Sequence, residues 1–286
     1  MSIGVSPRTD QGDADAFAAG DLVTLLRPYA RVVRFPGGLR VVDVHTPHAV
    51  DEATRRAVGL ALRPLLVEFY GPATGGSLQR FGDMFTILDR MLIVVGAEHH
   101  DLRCWITYTM LRVHRRPVMW VHAAVTRPGL RSTRVVPLVV GTWIIEEWLR
   151  HGCRPLHLAG MTRNRQLLRY FRAVWGDDKV FPREDGAQPP YVRCVAEIVG
   201  RRVVHGLQRS GAAPDAALDL DAQVVRDAFP HAPAGATVFL RPQDAYLLVV
   251  RASIRDVARQ VPGVPTMLSA RRRAEARLGV RHAARR

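Results

Sequence analysis

Proton-transfer chemistry needs a carboxylate, an imidazole or a phenol, and the middle of this sequence offers few of them. Glu98 closes the apolar run MLIVVGAE, where it reads either as a general base beside an amine or as an exposed carboxylate at a strand end. His122 lies inside VMWVHAAV, so it is either a satisfied core histidine or a base. Tyr170 lies in an amphipathic run, as a helix-surface aromatic or as an acid. His99-His100-Asp101 has metal-ligand residue types, but two adjacent histidines at a turn do not face one ion, and no metal is expected. Cys104, Cys153 and Cys194 are far apart and lack metal-like spacing, so they read as buried thiols of a reducing compartment. No Ser-His or Cys-His pair is evident from spacing.

The elements that must position these groups follow from periodicity. Residues 1–20 are polar and are expected to be disordered. GLRVVDVH (Gly38 to His45) reads as a strand, Thr46-Pro47 as a cap and first-turn proline. A long helix follows with Val50, Ala53, Ala57, Ala61, Leu65 and Phe69 as its stripe, kinked or divided at Pro64. After a GPATGG loop, Leu78, Phe81, Phe85 and Leu88 mark a second helix. Three strands come next: Met91 to Glu98, Arg103 to His114 and Val118 to Val125, with the last turn at Arg115-Arg116-Pro117. Such short connections predict an antiparallel meander. Val135 to Arg150 reads as a helix stopped by Gly152, Pro155 to Thr162 as a strand, Asn164 to Trp175 as a helix stopped by Gly176, and Tyr191 to Val199 as a strand. Further on, Asp219 to Phe229 reads as helical, and TVFLRP and AYLLVVRASI as strands. The fold class is therefore mixed α/β: a mainly antiparallel central sheet with helices on both faces. The expected organisation is one domain over 21–255, with its core at 39–200, and a basic tail at 256–286.

The chain has 286 residues, 48% of them hydrophobic, and a formal charge of +15. Lys179 is its one lysine, so the basic residues are almost all arginine, which has the look of GC-rich coding. Arg271 to Arg286 carries seven arginines against Glu275, reading as a solvated tail. A diffuse positive surface attracts nucleic acid, coenzyme A phosphates and acidic carrier proteins alike. The longest apolar run, Val135 to Ile145, is too short to span a bilayer, and the N-terminus lacks the pattern of a secretory signal, so a cytoplasmic location is expected.

The order of elements, and the details between Val118 and Gly176, resemble the GCN5-related N-acetyltransferases. That family places a strand before an R/Q-x-x-G-x-G/A loop, then a helix, a strand, and a second helix led by Asn with an aromatic residue near N-x6-Tyr. Here these are VMWVHAAV, RPGLRSTRVVPLVVGTWIIEEWLRHG and PLHLAGMTRNRQLLRYFRAVWG. The resemblance implies an acyl-CoA acyltransferase fold binding acetyl-CoA or another acyl-CoA. Backbone groups from Ala123 to Arg127, Val125 among them, would meet the pantetheine. Arg131, Ser132, Thr133, Arg134 and Val135 would hold the pyrophosphate at a helix N-terminus, and Asn164 and Phe171 would complete the cofactor side. Arg134 and Val136 stand where the family prefers glycine or another small residue. Seven residues after Asn164 comes Phe171, with Tyr170 one position early. The implied acceptor is a small-molecule amine, with acyl carrier protein as an alternative donor and homodimerisation left open. The competing reading is a catalytically lapsed binding or regulatory protein. Nucleic acid would be its partner, although no recognisable nucleic-acid-binding motif is present.

Overall fold

A computed structural model describes residues 19–70, 85–96, 102–127, 130, 135–152, 154–162, 165–183, 186, 188–209, 213–228 and 244–253. The chain divides into two compact units. One comprises Met1–Thr109 and Val121–Ser132, the other Met110–Trp120 and Thr133–Arg286.

The first unit holds α1 (Ala19–Leu26), β1 (Ala30–Arg34), β2 (Arg40–Val44), α2 (Glu52–Tyr70) and β3 (Arg90–Val95). It also contains the greater part of β4 (Leu102–Val113) and part of β5 (Arg116–Thr126). β1, β2, β3 and β4 pair antiparallel in sequence, with a register shift between Val94 and Val95. Alternation turns Val42, Val44, Met91, Ile93 and Val95 into one core, which Leu22, Leu26, Val58, Leu62 and Leu65 close from the helices. The buried stripe of α2 differs from the expected one. Thr54, Ala57, Val58, Leu62, Leu65 and Leu66 face inward, whereas Ala53 is exposed and Ala61 half-buried. Valine and leucine bury more apolar area than alanine, so the larger side chains set the helix's rotation. Two further expectations are corrected. Thr46-Pro47 does not start the helix: Pro47–Ala49 is a separate 3₁₀ turn. The cap is Asp51, whose carboxylate accepts from the Thr54 amide at 2.9 Å and from its hydroxyl at 2.6 Å. α2 then continues as one helix through Pro64.

The second unit holds the hairpin tip of β4 and β5, then α3 (Val135–Arg150), β6 (Leu156–Thr162), α4 (Arg165–Trp175) and β7 (Val180–Phe181). α5 (Pro190–Arg209), β8 (Ala217–Asp219), β9 (Val224–Arg226) and β10 (Ala245–Ala252) complete it. β10 pairs antiparallel with β6 along one edge and with β7 and β9 along the other, and β9 carries β8. α5 covers a core made by Ala159, Phe181, Leu247 and Val249. The sequence reading had a strand at Tyr191–Val199, but this segment is the first half of α5. Val192, Val195, Ala196 and Val199, all at most 3% exposed, are spaced three, one and three residues apart, which is a helical stripe. The described part of the expected Asp219–Phe229 helix, residues 219–228, is not helical either. Asp219 accepts from the Ala222 amide at 3.0 Å, and Arg226 binds both Asp219 (2.7 Å) and Asp244 (2.9 Å), which fixes a β8–β9 turn. The expected strand TVFLRP, the GPATGG loop, Leu78 and Phe81, and the tail at 256–286 lie outside the described residues.

α3 and α4 end as their glycines predict: Gly152 has φ 67° and Gly176 has φ 94°. A Cβ at Gly152 would touch nothing within 4 Å, whereas one at Gly176 would come within 2.8 Å of Asp178 Oδ1. Gly152→Ala is therefore expected to cost about 1 kcal/mol from backbone strain alone. Gly176→Ala should cost more, and urea titration of the two variants compares them directly. Equal losses would mean that the Asp178 contact is relieved freely.

Candidate functional site

The residues that sequence reasoning assigned to cofactor and chemistry are divided between the two units. Val125 lies near the end of β5 and Arg127 just beyond it, both in the first unit. Val125 is buried at 1% exposure in that unit's core, so its side chain is a packing group and only its backbone is left to meet a ligand. Arg127 anchors the strand's exit. Its amide donates to the Arg103 carbonyl at 2.8 Å and its own carbonyl accepts from Leu130 at 3.0 Å. Its guanidinium places Nε at 3.1 Å and Nη2 at 3.0 Å from Glu68 Oε2 on α2. Glu68 is a partner that spacing alone did not disclose, lying 59 residues earlier. That pair neutralises much of the charge Arg127 would have brought to a phosphate.

His122, also on β5, is held by Thr109 on β4. The Thr109 hydroxyl donates to the Ile87 carbonyl at 2.6 Å, so toward His122 Nε2, at 2.7 Å, its oxygen is the acceptor. The imidazole is thereby protonated at Nε2, and burial pushes its pKa down to about 4. A neutral ring with Nε2 already engaged serves packing better than proton abstraction, and the core reading of His122 is the one its surroundings fit. Cys104, on β4, is likewise no nucleophile: burial pushes its thiol up to about 12, against the opposing hydrogen-bonding contact with Thr126 at 3.3 Å.

In the second unit, the described part of α3 runs from Val135 to Arg150. Trp143, 1% exposed, belongs to the core and Trp148 is half-buried. Tyr170 and Phe171 are consecutive residues of α4, and Phe171 is half-buried. Glu98, Arg131, Ser132, Thr133, Arg134 and Asn164 lie outside the described residues, as do His99, His100 and Asp101. No group of three His, Cys, Asp or Glu side chains suited to a metal is present among the described residues. Nor, among them, is any helix long and apolar enough to cross a membrane.

Sequence reasoning missed one further cluster. The turn between β4 and β5 falls on His114-Arg115, not Arg115-Arg116-Pro117, because two residues suffice to reverse the chain. His114 and Arg115, with Arg116, Arg154, Pro155 and Arg251, line a concavity of about 400 Å³ in the second unit. Behind it, Tyr191 at the start of α5 donates its hydroxyl to the Val113 carbonyl at 3.1 Å. Its ring lies 4.4 Å from the Arg116 guanidinium carbon and 4.7 Å from the His157 ring. The clue in the sequence was the density of basic residues from His114 to Arg116, but Arg154 and Arg251 join them only through folding.

No family model matches the sequence, and no curated protein matches it. Among solved structures, an acetyltransferase of Trypanosoma brucei aligns over 48% of this chain and 90% of its own, at 13% identity and TM-score 0.34. An aminoglycoside acetyltransferase from an uncultured soil metagenomic sample aligns over 48% and 88%, at 8% identity and TM-score 0.33. The ribosomal-protein-S5-alanine acetyltransferase of Vibrio fischeri aligns over 50% and 81%, at 15% identity and TM-score 0.31. These are distant likenesses, and no residue role is transferred from them.

Proposed function

We propose that the protein is an acyltransferase of the GCN5-related class, most simply one moving an acetyl group from acetyl-CoA to a small amine. The supporting observation is the element order in the chain itself. A β3–β4–β5 run is followed in the order of elements by α3, then β6 and then α4, as the resemblance requires. In this reading the amine gives its proton to Glu98 or water and attacks the thioester carbonyl. The new C–N bond forms as the C–S bond breaks, and Tyr170 returns a proton to the departing sulfur. Backbone groups near Val125 would polarise the carbonyl, and Arg131 to Arg134 would supply the contacts to the phosphates that the resemblance implies. His122 takes no part in this scheme, and Arg127 acts by holding β5 against α2.

Calorimetric titration with acetyl-CoA, longer acyl-CoAs and an acyl-carrier-protein thioester tests the donor. Binding to at least one is expected, and binding to none of them sinks the proposal. Release of free thiol in the presence of a panel of amines then tests the chemistry. Tyr170→Phe is expected to lower kcat by roughly 10²-fold or more while leaving donor affinity unchanged. An unchanged kcat would remove Tyr170 as the acid.

A further inference from the structure

The concavity at the β4–β5 turn is distinct from the surfaces just assigned to acyl transfer. It lies at the beginning of β5, nine residues along that strand from Val125. Arg115, Arg116, Arg154 and Arg251 meet around it, and among the described residues none of the four pairs with a carboxylate. Gathering like charges in this way opposes folding. The turn adds to that cost, because His114 (φ 45°) and Arg115 (φ 66°) occupy the left-handed region usually left to Gly, Asn or Asp. The result is to aim two basic side chains at the same space. Arg116 is also held in place, stacked on a Tyr191 ring that is itself fixed by the Val113 carbonyl and by His157. His157, directly across from Arg251 in the β6–β10 register, is 2% exposed, and its Nδ1 has no hydrogen-bond partner among the described residues.

We propose that this concavity is a binding site for a small molecule bearing a diphosphate or a comparable multiply charged phosphate group, held by Arg115, Arg116, Arg154 and Arg251. Planar guanidinium forks match phosphate oxygens in pairs, and several of them favour a group with more than one negative charge. The open shape admits a ligand of that size, and the buried face behind Arg116 keeps that guanidinium from wandering. The site rests on residues that the acyl-transfer scheme does not use.

Titration of the full chain with inorganic pyrophosphate, with orthophosphate and with a nucleoside triphosphate tests it. Saturable one-to-one binding is expected, tighter for pyrophosphate than for orthophosphate, and retained in the presence of acetyl-CoA. Arg154→Gln with Arg251→Gln should weaken pyrophosphate binding at least about tenfold. Arg201→Gln removes a charge already paired with Glu197 at 2.6 Å and should change little. A matched thermal melt guards against misfolding: pyrophosphate should raise Tm in the wild type and in Arg201→Gln, but not in the double variant. Three results overturn the proposal: no saturable binding, equal loss in the Arg201 variant, or binding of a nucleic-acid duplex but not of pyrophosphate. Undiminished pyrophosphate binding in the double variant would move the phosphate site elsewhere.

Discussion

Arg90→Ala is expected to cost the fold about 3–5 kcal/mol. Arg90 on β3 and Asp43 on β2 are each 1% exposed. They meet in a two-point ion pair, Nε to Oδ1 at 2.8 Å and Nη2 to Oδ2 at 2.6 Å. Asp43 sits directly across from Leu92, so Arg90 is its diagonal neighbour on the same sheet face. Val42, Val44, Met91 and Ile93 point the other way, into the helix-covered core. Removing the guanidinium strands a buried carboxylate whose next basic neighbours are a 56% exposed Arg31 and the His45 imidazole, both at 3.7 Å. Water cannot easily make up the loss. Replacing both partners by apolar groups is a different case, because the desolvation cost disappears together with the attraction. Asp43→Val with Arg90→Met should therefore recover most of what either single change loses. Urea unfolding at pH 7 of the singles and the double reads the cycle directly. A double variant as unstable as the two singles combined would mean that the pair is not acting as a unit.

That pair also shows how far the sequence could be read. Alternation within RVVDV places Asp43 opposite the core face, and the strand itself was evident, but its partner lies 47 residues further on. The same limit applied to Arg127 with Glu68 and to the four arginines of the concavity. Each is a contact of large sequence separation between residues whose types alone give many equivalent choices. Local signals fared better. The left-handed glycines at 152 and 176 closed the helices they were expected to close, and α3 ends where its pattern says. The misread strand at Tyr191 failed for a physical reason. YVRCVAEIV is rich in valine and isoleucine, which favour strands, yet its buried residues follow a helical period that burial on one core enforces. For the candidate site, the helical run from Val135 to Arg150 was legible, whereas the core reading of His122 required Thr109 and Ile87 to be seen around it.

Acid should destabilise the protein well before its carboxylates begin to protonate. Burial, aided by the positive charges of Arg251 and Arg116, pushes His157 down to about 4 from an ordinary 6.5, and burial alone does the same to His122. In the unfolded chain both rings titrate near 6.5, so below that pH the unfolded state binds protons that the folded state refuses. The contribution to stability is thus complete above about pH 6.5 and falls away as the pH approaches 4. For fully enclosed His157 the difference is worth roughly 3 kcal/mol, and for half-buried His122 it is less. Against a typical domain stability of about 5–15 kcal/mol, this is a large share. Asp51 and Asp219 act in the same direction, since hydrogen bonds hold their carboxyls below 3.8, but their losses fall at lower pH. The expected result is a urea midpoint that drops steadily from pH 7 to pH 4. In His157→Phe, which keeps an aromatic ring beside Tyr191 and cannot titrate, the slope should be clearly shallower. A His157 resonance titrating near 6.5, or an unaltered slope in the variant, would sink this account. Pyrophosphate supplies a second readout, because an anion seated on Arg116 and Arg251 offsets the charge that helps keep His157 neutral. Its addition should move the His157 titration upward in the wild type and leave it in place in the Arg154→Gln, Arg251→Gln double variant.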